Sequence, residues 1–266
     1  MIREDPLRLP PSPNSASDLL LQVGAGEDGW RVAKESYGAL NPPPRYGRGS
    51  DPTAWGRFDT YSGRTLYAAT TPVCAYDEML ASFRRLIGTI DPLTADAATV
   101  GLSVADFLAE VQGEWAEREY MHLGHVPASW RHARRLYQLA MPSSGCWIIA
   151  ADKEFIAAIG INLADQLKDH DIEVVTAADL FGENRWLTLE IASWARQLVL
   201  DDGTCLWGLI YQSKHASGDC YAHWMPDTSD DPMAAPDPIQ LLDSHEISLD
   251  DPALHDTARR FGLTIW

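Results

Sequence analysis

Short apolar segments with strand character alternate irregularly with amphipathic helical segments along this 266-residue chain, and this order most constrains its fold. Strands are predicted at residues 30–33, 64–69, 146–150, 172–176, 206–211 and 220–224. Helices are predicted at residues 72–87, 102–118, 129–140, 153–168 and 187–200. The regular strand–helix alternation of a doubly wound sheet is missing, and no Gly-x-Gly-x-x-Gly turn follows a strand. The pattern therefore predicts an α+β fold.

The charge balance excludes some classes of partner. The chain carries 38 acidic and 21 basic residues, a formal net charge of −17. Such a surface repels phosphate backbones, so we expect no nucleic acid partner unless a local basic patch exists. There is no apolar run of about 18 residues, so no membrane span is expected. The polar, Pro-rich start does not resemble a signal peptide, which predicts a cytoplasmic protein.

Changes in composition suggest three parts. Residues 1–27 are rich in Pro, Ser and Asp and are interpreted as an N-terminal arm, with one helical turn at residues 19–23. Residues 28–225 contain most of the predicted strands and helices. Residues 226–266 are acidic, because no Lys or Arg occurs between Lys214 and Arg259. We expect this extension to pack on the domain as a strand and a terminal helix.

A series of short motifs, in a fixed order, resembles one known family. They are Trp30-Arg31, Gly56-Arg57-Phe58-Asp59, Leu66-Tyr67, Ala75-Tyr76-Asp77-Glu78, residues 188–195 with the pattern Thr-x-x-Ile-Ala-x-Trp-Ala, and residues 208–214 with Tyr211, Ser213 and Lys214. In this order and spacing they resemble the RES domain over residues 30–224. Lys214 departs from the family pattern, which more often has Arg there.

The resemblance implies both a fold and a reaction. The fold would be an ADP-ribosyltransferase-like core, a small split mixed β-sheet surrounded by helices. The activity would be that of a toxin that cleaves the nicotinamide–ribose bond of NAD as a glycohydrolase or phosphorylase. NAD would be the substrate, with no other cofactor. An Xre-like antitoxin would be the protein partner, and a homodimer is left open.

The cleavage of NAD sets chemical demands that the chain can meet. The transition state is a ribosyl oxocarbenium ion, which a carboxylate stabilises, and the pyrophosphate calls for guanidinium groups. The nicotinamide ring needs an aromatic face, and its amide a hydroxyl partner. The candidates are Glu78, Arg57 and Ser213 as catalytic residues, and Arg31, Arg57, Tyr67, Tyr211, Ser213 and Lys214 as NAD-binding residues.

Each candidate also has an ordinary structural interpretation. Glu78 could pair with Arg57 or Arg85 on a solvated helix face, and Arg57 could pair with Asp59. Ser213 could cap the turn that follows it. Arg31 could project outward, and Tyr67 and Tyr211 could be core residues.

Other functional classes were also weighed. One alternative is a protein ADP-ribosyltransferase, and another is a non-catalytic module that binds a nucleotide or a protein partner. The cluster of His122, His125 and His132 lacks the Glu of a His-Glu-x-x-His motif, so no metal site is predicted. There is no Gly-x-Ser-x-Gly motif of a serine hydrolase.

Overall fold

A nine-stranded mixed sheet carries the fold in the computed structural model, which describes residues 7–8, 20–24, 28–49, 51–85, 87–88, 92–115, 124–200, 205–216, 218–226 and 237–266. Its strands are β1 Leu7–Arg8, β2 Leu20–Val23, β3 Gly29–Lys34, β6 Thr65–Ala69, β8 Arg134–Ala140, β9 Cys146–Ile149, β10 Gly208–Gln212, β11 Asp219–Trp224 and β12 Gln240–Glu246. Their spatial order is β1-β2-β9-β10-β11-β6-β3-β8-β12. Only the β9–β10 pair in this sheet is parallel.

Smaller elements and nine α-helices complete the part of the chain that is described. Two two-stranded sheets are formed by β4 Arg45–Tyr46 with β5 Ser62–Gly63, and by β7 His125–Val126 with β13 Thr264–Ile265. The helices are α1 Pro72–Leu80, α2 Pro92–Thr99, α3 Val104–Trp115, α4 Ala128–His132, α5 Lys153–Asn162, α6 Ala164–Asp169, α7 Ala177–Phe181, α8 Arg185–Ala195 and α9 Pro252–Phe261. A mixed sheet flanked by helices confirms the predicted α+β class. None of the helices in the described ranges is long and apolar enough to span a membrane.

Most predicted elements are found, with shifted ends. The helix predicted at residues 72–87 ends at Leu80 and continues as a 3-10 turn at Ala81–Phe83. Its start follows the expected chemistry: the Thr71 hydroxyl accepts a hydrogen bond from the Cys74 amide at 3.1 Å, and Pro72 occupies the first turn. The helix predicted at 187–200 spans Arg185–Ala195, and the one at 153–168 is divided into α5 and α6.

Three local predictions are wrong. Residues 129–140, predicted as a basic helix, form the short helix α4 and then the strand β8. Strand β8 is paired on both sides, with β3 and with β12, so two ladders of hydrogen bonds outweigh the local helical pattern. The helical turn predicted at residues 19–23 is not present, because Leu20–Val23 form the strand β2. Residues 172–176 form no strand.

The two faces of the sheet pack different hydrophobic clusters. On β6, Leu66 and Ala68 belong to one cluster, whereas Ala69 belongs to the other. Strand geometry explains this division, because successive side chains point to opposite faces. The cluster that contains Ala69 also includes buried residues of α1, α5 and α8, so the helices cover that face.

Strands β3 and β6 are adjacent but barely paired. Their ladder contains a single residue pair, Trp30 with Ala69, whereas β3 pairs with β8 at six positions. The sheet is therefore split between β3 and β6 after this pair. The split agrees with the predicted split sheet, although the sheet has nine strands and is not small.

Part of the acidic C-terminal extension lies within this architecture. Strand β12 forms the edge of the main sheet beside β8, and α9 packs against α1. The strand and the terminal helix predicted for this extension are thus present. The division of the chain at residues 27 and 225 stays a prediction.

Phe155 tests the packing of the helix-covered face. Its side chain is fully buried and stacks on Trp194 with ring centroids 5.9 Å apart. Phe155→Ala should lower the free energy of unfolding by about 3–5 kcal/mol, because it leaves a cavity in a close-packed core. Ile161→Ala on the same helix is the control, since that side chain is 74% exposed. Urea denaturation should show a change within about 0.5 kcal/mol for the control, and equal effects would contradict the packing described here.

Candidate functional site

A cleft of about 700 Å³ lies where β3 and β6 separate. This volume is within the range of small-molecule sites in proteins, roughly 300–1,000 Å³. Strands β3 and β6, helix α1 and the end of β10 contribute to its wall. The lining includes Arg31, Arg57, Tyr67, Glu78, Tyr211 and Lys214. Ser213, the seventh predicted residue, is buried and reaches the cleft through its bond to Glu78. The fold therefore brings all seven together.

The cleft is basic although the protein is acidic. Seven Lys or Arg residues line it, against two Glu residues, in a chain with a net charge of −17. The basic residues are Arg31, Lys34, Arg45, Arg57, Arg134, Arg185 and Lys214. Cations gathered in a concave, low-dielectric site raise the local concentration of anions. The arrangement suits a small anionic ligand.

Arg31 lies in the gap between the separating strands. Its Nη1 donates a hydrogen bond to the Tyr67 carbonyl oxygen at 2.9 Å, while its buried Nε has no partner. Burial lowers the pKa of Arg31 to about 10, so the side chain stays charged at neutral pH. The outward-facing alternative for Arg31 is therefore wrong.

The loop that carries Arg57 is held against Tyr67. The Phe58 amide donates to the Tyr67 hydroxyl at 2.9 Å. A Cβ atom at Gly56 would lie 2.5 Å from the Tyr67 ring, so only glycine lets the loop approach so closely. Asp59 accepts from the Gly56 amide at 2.9 Å and from Arg45 Nε at 2.6 Å. These contacts fix the backbone on both sides of Arg57.

Arg57 is buried without a polar partner for part of its guanidinium group. Its side chain is only 8% exposed, and neither Nε nor Nη1 has a hydrogen-bond partner in the described structure. The carboxylate of Asp59, an alternative partner, is bound to Arg45 instead. The guanidinium carbon lies 5.7 Å from the centre of the Tyr211 ring. Buried unsatisfied charged donors are costly, so this group is suited to an anion that enters the cleft.

Glu78 and Ser213 form a direct hydrogen bond. The Ser213 hydroxyl donates to Glu78 Oε1 at 2.5 Å and accepts from the amides of His215 and Ala216, both at 3.0 Å. Ser213 thus also caps the turn after β10. Among the described residues no ion pair joins Glu78 to an arginine, and its second carboxylate oxygen accepts no hydrogen bond. The half-buried carboxylate is oriented by Ser213.

The two predicted tyrosines belong to both the core and the cleft. Tyr211 packs against Phe58, with ring centroids 5.0 Å apart, and Tyr67 is in contact with the helix-side core. Burial raises the pKa of both hydroxyls well above the usual value, so both are neutral at pH 7. The core and ligand-binding interpretations are therefore compatible.

Lys214 and His215 lie at the end of β10. Lys214 forms an ion pair with Glu183, an exposed residue that also lines the cleft. This contact occupies the Lys214 ammonium group. Burial lowers the pKa of His215, partly against the attraction of the Glu78 carboxylate, so the imidazole is neutral at pH 7.

A set of contacts that the sequence analysis missed anchors the Arg57 loop to α8. Glu190 is buried with 3% exposure and forms an ion pair with Arg48, whose guanidinium carbon lies 4.5 Å from the Tyr61 ring centre. Burial and the Glu190 carboxylate raise the pKa of Tyr61 to about 12. Arg196 donates to the Thr60 hydroxyl at 3.0 Å. Glu190 could have been recognised from the sequence, because it lies on the apolar face of the helix predicted at residues 187–200. A buried carboxylate there needs a charged or polar partner.

Two of the three histidines weighed as a metal site, His125 and His132, belong to the described residues. His122 lies outside them. His125 is buried, and its Nδ1 accepts a hydrogen bond from Trp266 Nε1 at 3.3 Å. No group of three or more metal-ligating side chains occurs in the ranges that the structure describes.

Comparisons with known proteins give one distant similarity. No protein-family model matches the sequence, and no match is found among curated proteins. A chain in the crystal structure of the M. tuberculosis MbcT–MbcA toxin–antitoxin complex is similar to this one, with 13% sequence identity and a TM-score of 0.45. The match covers 90% of this chain and 91% of that chain. A similarity of this extent carries no argument about function.

Arg57→Ala tests whether the cleft binds anions. Inorganic pyrophosphate should bind to the wild-type protein in titration calorimetry, and the variant should bind it at least about tenfold more weakly, because a charged hydrogen-bond donor is lost. Arg64→Ala makes the same charge change outside the cleft lining, where Arg64 contacts Asn41. Equal affinities of the two variants would exclude Arg57 as an anion ligand.

His215 should contribute to the pH dependence of stability. Because its pKa is lower in the folded state than the usual 6.5, the unfolded chain binds the proton more readily. Protonation of His215 therefore favours the unfolded chain. The free energy of unfolding keeps its full value above the unfolded pKa and decreases as the pH falls below about 6.5. As the pH is lowered from about 7.5 to about 5, the urea midpoint should fall less steeply for His215→Gln than for the wild type. Parallel curves would show that His215 is not the source.

Proposed function

We propose that the cleft binds NAD and cleaves its nicotinamide–ribose bond, with water or phosphate as the acceptor. The observation that carries this proposal is the buried guanidinium of Arg57, with two unpartnered nitrogen atoms, in the same cleft as the oriented carboxylate of Glu78. A cation and an anion that do not neutralise each other, in one cleft, suit a ligand with both charges. NAD has a cationic nicotinamide ring and an anionic pyrophosphate.

Glu78 is assigned the stabilisation of the transition state. Nicotinamide leaves as a neutral molecule, so it needs no general acid, and the positive charge moves onto the ribose as an oxocarbenium ion. A fixed carboxylate stabilises that charge more effectively than water does, because it needs no reorganisation. Only one oxygen of Glu78 is bound by Ser213, so the other is available to the ribose.

Ser213 is assigned an orienting role. Its hydroxyl donates one hydrogen bond and accepts two, which fills its capacity. It has no donor left for the carboxamide of nicotinamide without breaking one of these bonds. The role that suits this geometry is to hold the Glu78 side chain in one rotamer, rather than to bind the amide or the ribose.

Arg57 and Arg31 are assigned to the pyrophosphate. Both have unpartnered N–H groups that are buried, and guanidinium groups bind phosphate oxygens in a planar, bidentate geometry. Tyr67 and Tyr211 supply aromatic surface in the same cleft. Lys214 would contribute only after a ligand displaces Glu183 from its ammonium group.

The wider biological role rests on the resemblance of the sequence motifs to RES domains. An enzyme that depletes NAD would act as a toxin and would need control, and an Xre-like antitoxin is the partner this resemblance implies. Induced expression of the wild type should arrest growth of the host, whereas the inactive Glu78→Gln variant should not.

Glu78→Gln tests the proposed reaction. This change keeps the shape of the side chain and removes its charge, so the rate of nicotinamide release should fall by about 100- to 1,000-fold while the fold is retained. Ser213→Ala should lower the rate less, because the carboxylate remains but is no longer oriented. Chromatography of free nicotinamide, from purified protein incubated with NAD, gives the rates.

The same assay includes a control variant and identifies whether water or phosphate accepts the ADP-ribosyl group. Glu173→Gln removes an exposed carboxylate outside the cleft lining and should leave the rate unchanged. Equal rates for Glu78→Gln and the wild type would exclude the assigned role. A rate that depends on added phosphate, with a phosphorylated ADP-ribose product, indicates a phosphorylase, and free ADP-ribose indicates a glycohydrolase. If the wild type releases no nicotinamide, the proposed reaction is wrong, and a transferase or a binding module takes its place.

A further inference from the structure

Helix α9, from the C-terminal extension, is joined to helix α1 by buried polar contacts directly beside Glu78. The residue before Glu78 is Asp77, which is completely buried. Asp77 Oδ1 accepts hydrogen bonds from the Thr257 hydroxyl at 2.8 Å and from Arg260 Nη2 at 2.6 Å. Both donors belong to α9, so a carboxylate of α1 is neutralised by the extension.

A second contact holds the other end of α9. Asp251 caps the N-terminus of α9, accepting from the amides of Ala253 and Leu254. Its second carboxylate oxygen accepts a hydrogen bond from the Tyr76 hydroxyl at 2.6 Å. Tyr76 is also fully buried. Consecutive residues of α1, Tyr76 and Asp77, are thus bound to the first and last turns of α9.

The spacing of these contacts matters because of helix geometry. Successive residues of an α-helix point about 100° apart around its axis. With Tyr76 and Asp77 bound to opposite ends of α9, helix α1 cannot rotate about its axis or slide along it without breaking a buried polar bond. The next residue, Glu78, then points into the cleft in one fixed direction.

The cost of this arrangement supports a role beyond packing. Asp77 is a buried carboxylate whose Oδ2 has no hydrogen-bond partner in the described structure. A buried ion pair contributes little net stability compared with apolar side chains of similar size, but removing one partner alone is strongly unfavourable. In some proteins such pairs specify one arrangement of the elements that they join, and here those elements are α1 and α9.

We propose that Arg260 and Asp77 are positioning residues that hold the Glu78 carboxylate in its catalytic orientation, so that the C-terminal extension is part of the active site's support. This inference rests on the proposed function, because it assigns the purpose of the contact to the Glu78 reaction. The extension lies outside residues 30–224, the segment whose motifs resemble the RES domain.

Two neighbouring arginines provide a matched test. Arg259 and Arg260 both contact Asp256, but of the two only Arg260 reaches Asp77. Arg260→Ala should lower kcat for nicotinamide release by about tenfold and leave KM within about twofold, because the substrate-binding arginines are untouched and the carboxylate is misplaced. Arg259→Ala should leave both constants unchanged. Arg260→Lys, which retains a cation near Asp77, should recover most of the lost kcat.

A second readout does not depend on the reaction. Hydrogen exchange of the backbone amides at residues 74–80 should be faster in Arg260→Ala than in Arg259→Ala and the wild type, because α1 is less firmly held. Tyr76→Phe removes only the hydroxyl that binds Asp251 and should raise exchange in the same segment, which provides a milder variant if Arg260→Ala does not fold.

The outcomes separate this inference from the proposed function. If the wild type releases no nicotinamide, the proposed reaction is wrong, and the exchange comparison still decides whether α9 holds α1. Equal kcat values or equal exchange for Arg260→Ala and Arg259→Ala would overturn the inference. A loss of activity that matches the unfolded fraction at the assay temperature would also overturn it, because it would show a purely structural role.

Discussion

Strands β3 and β6 are joined by one residue pair, and the candidate site depends on the gap that follows it. In an ordinary sheet the next residues would bond to each other and close the space between the strands. Here Arg31 lies in the gap, and its guanidinium satisfies the Tyr67 carbonyl oxygen that lacks this support from β3. The gap therefore leaves no unsatisfied carbonyl at this position. The cleft opens between two strands that are each paired on their other side, β3 with β8 and β6 with β11.

The hydrogen bonds around the cleft show which groups the protein uses for its own structure. Asp59 is neutralised by Arg45, and one oxygen of Glu78 is bound by Ser213. Arg57 differs, since it is buried and two of its nitrogen atoms have no hydrogen-bond partner among the described residues. Arg31 Nε and Asp77 Oδ2 also lack a partner, but Arg57 has two such nitrogen atoms in a side chain that lines the cleft, and this supports the proposal that a ligand supplies its partner. The Ser213 hydroxyl is used within the protein, because it donates to Glu78 and accepts from the amides of His215 and Ala216, and its predicted role in binding NAD stays a prediction.

The net charge of the whole chain and the charge of the cleft have opposite signs. The chain as a whole is acidic, which keeps large polyanions away, whereas the cleft concentrates seven of its basic residues. A small anion that enters the cleft interacts with these residues at short range, where salt screens their attraction only weakly. The distribution thus favours small anionic ligands over extended nucleic acids.

Much of the local structure could be predicted from residue types and spacing. The helix predicted from residue 72 is present as α1, capped by Thr71 with Pro72 in its first turn, and Glu78, chosen from its motif, lines the cleft. The strand β8 could not be predicted, because its pairing with β3 and β12 overrides a basic, helix-like pattern. The candidate residues were identifiable as types, but their contacts join segments far apart in the chain: 135 residues separate Glu78 from Ser213, and 183 separate Asp77 from Arg260. Periodicity and capping signals act over a few residues, so they determine helices, strands and candidates. Only the tertiary structure decides which buried charges neutralise each other and which, such as Arg31 and Arg57, keep nitrogen atoms without a partner in the described structure.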